Sequence, residues 1–178
     1  MDNPAAVYDD EGKYAQAEAL FSQILDVQQR VLGPEHPDTL RSMGNLATIY
    51  DHVGKYAQAE ALLSQTLEVQ RRVLGPEHPD TLYTQSDFAF MCQREGKYAL
   101  AATYAAQALA GRRHAWGSEH PDTMASVNDL ALAYLSQRKF AESEPLAREA
   151  LEFRQRGPQV SREGSPWDVH AGRAQARG

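Results

Sequence analysis

Histidine is the residue type in this sequence with the widest chemistry, because imidazole serves as a general base or a metal ligand near neutral pH. His36, His78 and His120 recur at intervals of 42 residues, and His114 lies close to Glu119. If each interval is a pair of packed helices, neighbouring histidines are roughly 20 Å apart, whereas zinc ligands lie about 2 Å from one ion. We therefore predict that the three histidines bond nearby backbone in turns, and that His114 and Glu119 are structural as well.

The other residues that could take part in chemistry give weaker evidence of a functional site. The Gly-Lys pairs lack the upstream glycine and the following Ser or Thr of a phosphate-binding loop. Cys92 is the only cysteine and aligns with tyrosines elsewhere in the chain, which favours a small buried core residue over a nucleophile. Glu60, Glu77 and Asp80 belong to repeated phrases and are interpreted as solubilising and dipole-matching charges. The sequence therefore predicts no catalytic residue, no metal site and no cofactor.

These residues are positioned by an internal repeat with a period of 42 residues. The phrase EGKYAQAEAL and its variants begin at residues 11, 53, 95 and 137, and each carries one of the four lysines of the chain. A linking phrase, LGPEHPDTL or WGSEHPDTM, begins at residues 32, 74 and 116. Segments 11–40 and 53–82 are identical at 25 of 30 positions, which excludes coincidence.

Each unit contains two amphipathic helices. Apolar residues of helix A follow a helical spacing from Leu40 to Tyr50, and those of the longer helix B run from Tyr56 to Val73. A glycine ends helix A, and Pro79 stands at the first position of the next helix, where proline is tolerated best. Helices are predicted at 13–31, 38–52, 55–73, 80–94, 97–115, 122–136 and 139–155, after a partial helix at 4–10.

A pair of such short helices cannot bury two apolar stripes alone, so each pair must stack on its neighbours. We expect one array over residues 1–155, made of a partial unit at 4–37 and units at 38–79, 80–121 and 122–155. Residues 156–178 lose the repeat and are expected to be disordered or loosely packed. Trp167 offers the alternative of a tail that caps the last helix pair.

Composition limits the class of function. Eighteen basic and twenty-four acidic residues give a formal charge of −6, which is the wrong sign for a protein that binds nucleic acid through its phosphates. A single cysteine excludes an internal disulfide, and no segment has the pattern of a signal peptide or of a membrane span. We expect a cytoplasmic protein that contacts neither nucleic acid nor membrane.

The residues shared by the units also carry a family resemblance. They are Asn45-Leu46-Ala47, Tyr50, Gly54-Lys55-Tyr56, Ala59-Glu60 and the Leu-Gly-Pro-Glu-His-Pro-Asp-Thr linker. Over residues 4–155 this pattern resembles the tetratricopeptide repeat, specifically its 42-residue kinesin light chain type. The resemblance implies an all-α fold, a right-handed α-solenoid of stacked antiparallel helix pairs. It also implies that the A helices line a concave groove that binds peptides or partner proteins, in a segment of a larger signalling or adaptor protein.

The last unit departs from the repeat. Arg138 replaces the loop glycine of the other units, and Pro145 falls inside helix B where they carry alanine or threonine. A proline in a helix interior costs roughly 3 kcal/mol, because it removes a backbone hydrogen bond and clashes with the preceding turn. The fourth helix pair is therefore predicted to be kinked and the least stable.

Positions that face away from helix B differ between units while core positions agree, which is typical of a surface that contacts a partner. A solvated helix face whose residues have drifted would show the same divergence. The predicted groove residues are Arg41, Asn45, Thr48, His52, Tyr83, Asp87, Phe90, Arg94, Asn128, Asp129 and Leu132. The lysines all lie in turns, which disfavours capture of a C-terminal carboxylate. The acidic balance favours a partner with basic and apolar residues.

We predict a non-enzymatic protein-interaction scaffold that binds a peptide or partner protein along this groove. The same units leave open an alternative of another class, a structural spacer whose exposed ends stack on neighbouring copies and give weak self-association. Divergence of the groove positions favours the scaffold. A size in solution that rises with concentration would favour the spacer.

Overall fold

A computed structural model describes residues 13–156, which form seven α-helices with no β-strand among them. The helices are α1 (Tyr14–Val31), α2 (Pro37–His52), α3 (Tyr56–Val73), α4 (Pro79–Arg94), α5 (Tyr98–Trp116), α6 (Pro121–Ser136) and α7 (Phe140–Arg156). Every end lies within one residue of its prediction, which confirms the all-α array of helix pairs. The predicted partial helix at 4–10 and residues 157–178 of the predicted tail lie outside the described residues.

The even-numbered helices correspond to helix A and the odd-numbered helices to helix B. Arg156, predicted as the first residue of the tail, is instead the last residue of α7. The helix is continuous on both sides of Pro145. The low stability expected for this last pair stays a prediction.

Each A helix starts at a linker proline and is capped by the histidine before it. The Nδ1 atom of His36 accepts a hydrogen bond of 3.2 Å from the backbone N–H of Asp38, and His36 itself is extended. The same bond recurs at His78 and at His120. The bond satisfies one of the N–H groups that a helix start leaves unpaired. This confirms the structural role predicted for the three histidines.

The turn from helix A to helix B needs a left-handed backbone conformation. Gly54 and Gly96 adopt it with φ of 75° and 79°. In the last unit Arg138 adopts the same conformation with φ of 59°, the one positive value at a non-glycine residue among those described. Because a Cβ atom crowds the backbone there, the substitution noticed in the sequence leaves the turn intact but strained.

Small residues let the helices approach closely. Ala47 and Ala59 are fully buried at the contact of α2 with α3. Gly111 in α5 lies against Leu82 in α4, and a Cβ atom built at that glycine would stand 2.4 Å from the leucine side chain. An added methyl group at residue 111 would require the Leu82 side chain to move, so the small residue allows α4 and α5 to pack closely.

The array has an inner side formed by its A helices. Helix α2 contacts α4 and α4 contacts α6, whereas consecutive B helices do not approach as extensively within residues 13–156. Stacked pairs whose A helices converge more than their B helices form a curved array with the A helices inside. This curvature positions the predicted groove residues.

Ion pairs connect successive units at a constant spacing of 37 residues. They are Glu18 with Lys55, Glu35 with Arg72, Glu60 with Lys97, Glu77 with His114, and Glu119 with Arg156. Glu60 and Glu77 were interpreted above as solubilising charges, and that interpretation was incomplete because both also bridge neighbouring units. Exposed pairs of this kind contribute little to the free energy of unfolding, because water and salt screen them. Their regular spacing follows from the repeat, which places the same pair of positions side by side at each contact between units.

Candidate functional site

The predicted groove residues lie on α2, α4 and α6, and we call this surface the A-helix face. It comprises Arg41, Asn45, Thr48, His52, Tyr83, Asp87, Phe90, Arg94, Asn128, Asp129 and Leu132. Two apolar side chains on this face stay open to solvent: Phe90 is 57% exposed and Leu132 is 46% exposed. Thr48 occupies the equivalent position in the preceding unit. The face therefore becomes more apolar from α2 to α6.

Four of the predicted residues meet at one depression between α2 and α4. Arg41, Asn45, Tyr83 and Asp87 line it, and its volume is about 170 Å³. The remaining wall is formed by Leu40, Gly44, Gln70, Asp80 and Thr84. A polar ligand group has room here, because a single water needs only about 10–15 Å³. We call this feature the α2–α4 depression.

Two carboxylates of the A-helix face have no hydrogen bond or ion pair with the part of the chain that the structure describes. Desolvation raises the pKa of Asp87 to about 6, with Arg112 lowering it and Asp51 raising it further. Desolvation also raises the pKa of Asp129, again opposed by Arg112. Asp87 is reached by solvent, but on the inner side of the curve surrounding helices displace much of its hydration. In both groups the favourable effect of Arg112 does not offset the loss of hydration.

Other predicted residues are already used within the array. The Nη1 atom of Arg94 donates a bond of 2.8 Å to Oδ2 of the buried Asp51, which ties α4 to α2. His52 stacks on Tyr14 with ring centroids 5.5 Å apart, and its Nδ1 lies 2.7 Å from the Thr48 carbonyl oxygen. These contacts join neighbouring helices and leave less of both side chains for a ligand.

Asn128 does not join the other groove residues. It lines a second depression of about 440 Å³ between α6 and α7, together with Met124, Ala125 and Phe153. The equivalent residue in the first full unit, Gly44, faces the following A helix. Asn128 therefore lies where the array would continue into a further A helix, and its place in the groove stays a prediction.

Sequence reasoning missed Arg112, the charged group that organises the interior of this site. Its side chain is only 3% exposed, and its Nη1 donates to the Asp122 carbonyl oxygen at 3.1 Å and to the Ser126 hydroxyl at 2.6 Å. The guanidinium also lies over the rings of Tyr83 and Trp116, 5.2 and 5.8 Å from their centroids. The sequence contained one sign of this role: Gln28 and Gln70 occupy the equivalent position in the preceding units, where Arg112 is charged.

Tyr83 connects this arginine to the A-helix face. Its hydroxyl donates a 2.8 Å hydrogen bond to Oδ2 of Asp122, and burial is the largest cause of its raised pKa. The Trp116 ring packs beside both Tyr83 and His120. The aromatic side chains therefore hold the guanidinium from two directions, which is a favourable geometry for a cation.

The candidates for chemistry have structural roles. Cys92 is fully buried, as predicted, and burial raises the pKa of its thiol to about 11. Over residues 13–156 no three His, Cys, Asp or Glu side chains are grouped so that they could hold a metal ion. Within the same range, no helix combines the length and apolar character that crossing a bilayer requires.

Comparisons with known proteins agree with this architecture. A family profile described as tetratricopeptide repeat matches residues 3–70, 49–114 and 88–156. No curated protein matches the chain. Among solved structures, the chain is similar to a singly substituted form of a protein from Podosopora anserina, described as a kinesin light chain with nearly identical TPR-like repeats. That match has a TM-score of 0.78 and 29% identity, and it covers 90% of this chain and 76% of the other.

Two further structures extend the comparison. A second structure of the Podosopora anserina kinesin light chain repeats has a TM-score of 0.71 and 30% identity, covering 89% of this chain and 74% of that one. BtubC (BKLC) from P. vanneervenii has a TM-score of 0.78 at 20% identity, covering 90% of this chain and 66% of that one, and supports the fold alone. With a family profile spanning nearly all of the described helices, the chain belongs to the tetratricopeptide repeat family, whose members generally serve as protein-interaction scaffolds.

Proposed function

We propose that the A-helix face binds an extended or helical segment of a partner protein. The observation that carries this proposal is the exposure of Phe90 and Leu132 on the inner side of the array. Neither side chain is needed to fill the core, and burying one large apolar side chain contributes about 1.5–3 kcal/mol. A bound segment would remove both from water while its polar groups meet Asn45 and Asp87.

The charge of this face favours a partner that carries positive groups. Asp87 and Asp129 make no hydrogen bond or ion pair among residues 13–156, whereas the cations Arg94 and Arg112 are committed to contacts within the array. A basic and apolar segment would therefore be complementary in both charge and hydrophobicity. This part of the proposal agrees with the acidic net charge of the chain.

Selection from a random peptide library displayed on phage, with the full chain as bait, tests the proposal. Peptides that survive selection are measured by isothermal titration against the wild type, a Phe90→Ala/Leu132→Ala variant and a Val73→Ala control. Val73 is an exposed apolar residue on a B helix. We expect the double variant to weaken binding by about tenfold or more and the control to leave it unchanged. Peptides that bind the double variant and the wild type equally would contradict the proposal.

A second candidate function, self-association, is favoured by the depression between α6 and α7. Its lining includes Met124, Ala150 and Phe153, and the nearby Leu151 is half exposed. If copies of the chain associate there, sedimentation velocity detects a mass that rises with concentration. A Leu151→Glu variant would then remain monomeric. A wild type that stays monomeric at every concentration would leave the A-helix face as the interaction surface.

A further inference from the structure

The repeat provides an internal comparison for the α2–α4 depression. Gln70 and Arg112 occupy equivalent positions, 42 residues apart, on α3 and α5. One unit downstream, the guanidinium of Arg112 fills the space between the A helices and bonds to the Asp122 carbonyl oxygen and the Ser126 hydroxyl. The array therefore contains one example of how this kind of position holds an arginine.

The α2–α4 depression repeats the polar surroundings of Arg112 without the arginine, while Arg41 and Leu74 stand at the positions of its aromatic neighbours Tyr83 and Trp116. Asp80, Thr84 and Asp87 line it at the positions equivalent to Asp122, Ser126 and Asp129. Asn45 in the α2–α4 depression occupies the position that corresponds, one unit downstream, to Asp87 in the site of Arg112. Electrostatic interactions with Asp87, Asp122 and Asp129 act on Arg112 in the occupied site. The depression therefore has a related set of oxygen acceptors around a space that no guanidinium of the described chain fills.

A buried, unpartnered acceptor lies in the same wall. The side chain of Gln70 is only 2% exposed, and its Oε1 atom has no hydrogen-bond donor within residues 13–156. Leaving such a group unpaired weakens a folded protein, because the group has lost its bonds to water. The carboxylate of Asp87 is likewise unpaired, so two acceptors in this depression can take donors from outside the chain.

The cation already present at the rim does not supply those donors. Arg41 lines the depression, but its guanidinium is ion-paired with Asp38 on the surface of α2. An arginine from outside is nevertheless accommodated better than a lysine, because a planar guanidinium presents five donors in a fixed geometry to several acceptors at once.

We propose that the α2–α4 depression binds the guanidinium of an arginine side chain supplied by a partner protein. The inference rests on the proposed function of the A-helix face and names the chemistry of its ligand. Donors of the arginine bond to Gln70 and Asp87, and its neighbours in the partner extend toward the exposed ring of Phe90.

Titration of the full chain with N-acetyl-arginine amide, followed by nuclear magnetic resonance, tests this site directly. Saturable shifts are expected for the side-chain amides of Gln70 and Asn45 and for the backbone amide of Asp87. N-acetyl-lysine amide and N-acetyl-citrulline amide are the controls, matched in charge and in shape respectively. We expect both to bind about tenfold more weakly than the arginine derivative. Equal shifts with the lysine derivative, or none with arginine, would overturn the proposal.

Two variants separate site binding from general attraction to an acidic protein. Gln70→Arg supplies the guanidinium from the chain itself, as Arg112 does, and is expected to abolish the shifts. Because a substitution at that buried position can prevent folding, Asp87→Asn provides a second test at an exposed position, with an expected loss of about fivefold or more. Unchanged binding to Asp87→Asn, or to a folded Gln70→Arg chain, would contradict the assignment.

The two proposals fail in different ways. Library peptides that need Phe90 and Leu132 but show no enrichment of arginine, together with no response to the arginine amide, would overturn the guanidinium site and leave the peptide-binding face. An arginine amide that binds as expected, with no peptide dependent on the A-helix face, would support the site and overturn the wider function.

Discussion

The first part of the array, α1 to α4, and the second part, α5 to α7, hold their helices in different ways. In the first part the B helices and linkers are nearly identical in sequence, turns use glycine, and an open depression lies between α2 and α4. In the second part Arg112 fills the corresponding space, while Arg138 and Pro145 break local rules of turn and helix. Units of one repeat can therefore differ in two ways: some keep regular turns and helices, and others have irregular ones together with specific contacts to their neighbours.

Irregular turns and helices are tolerated because the stability of a solenoid comes from each unit and from its contacts with neighbouring units. A strained turn or an interrupted ladder in one unit is held by the helices packed on either side. Ser143 in α7, for example, donates a 2.8 Å hydrogen bond to the Ala131 carbonyl oxygen in α6. The following substitutions exchange features between the two parts and measure what each contributes.

The largest effect is expected from moving the helix proline. Pro145→Ala restores the residue type of the other units and should raise the free energy of unfolding by about 3 kcal/mol, because it restores a backbone hydrogen bond and removes a clash. Ala61→Pro, the matched change in α3, should lower it by about as much. Urea denaturation monitored by circular dichroism measures both. If Pro145→Ala left stability unchanged, the last pair would not be the weak part of the array.

Removal of the buried guanidinium should rank second. Arg112→Gln makes the space between α4 and α6 resemble that between α2 and α4. It should destabilise the chain by about 2 kcal/mol, because two hydrogen bonds and two cation–aromatic contacts are lost. Gln70→Ala serves as the control and should cost less than this, since Oε1 of Gln70 has no partner to lose in the described chain. Equal losses for the two variants in thermal denaturation would mean that Arg112 is not a cross-link.

These two cases also mark how far the sequence predicts the structure. Prolines, glycines and capping histidines act within a few residues of themselves, so the seven helices and the strained turn at Arg138 were predictable. The bonds of Arg112 depend on how α5 lies against α6, which periodicity does not specify. The same is true of the ion pairs spaced by 37 residues and of the position of Asn128. Alignment of the units shows glutamine at residues 28 and 70 and arginine at residues 112 and 154, a change of residue type that does not reveal the burial of Arg112.

The turn at the start of α7 should give the third effect. Arg138→Gly relieves the left-handed conformation at φ of 59° and is expected to stabilise by about 1 kcal/mol. Gly96→Arg, which introduces the same residue one unit earlier, should destabilise by a similar amount. Melting temperatures of the two single variants test this, and the double variant should return close to the wild type. Shifts of the same sign for both would rule out backbone strain as the cause.

A smaller effect should distinguish Asp87 from Asn45, its equivalent in the first unit. Because the folded pKa of Asp87 is raised from 3.8 to about 6, the folded state binds a proton more tightly than the unfolded state in that window. Stability should therefore fall as the pH rises from about 4 to about 6. Asp87→Asn should flatten this slope and be more stable at pH 7, by less than about 1 kcal/mol because solvent screens the exposed group. A slope unchanged by the substitution, in denaturation curves from about pH 3.5 to 8, would assign the effect to other carboxylates.

The smallest effect concerns the ion pairs between units. Glu18 and Glu60 pair with Lys55 and Lys97, but the next position in this series is Ala102, so Lys139 has no such glutamate. Ala102→Glu should extend the series and stabilise by about 0.3–0.5 kcal/mol, an amount that about 1 M salt largely removes. Glu60→Ala should show the same salt dependence with the opposite sign. Ala102 is buried. If Ala102→Glu instead lowered the free energy of unfolding by an amount that salt does not change, packing at this position would outweigh the charge pair.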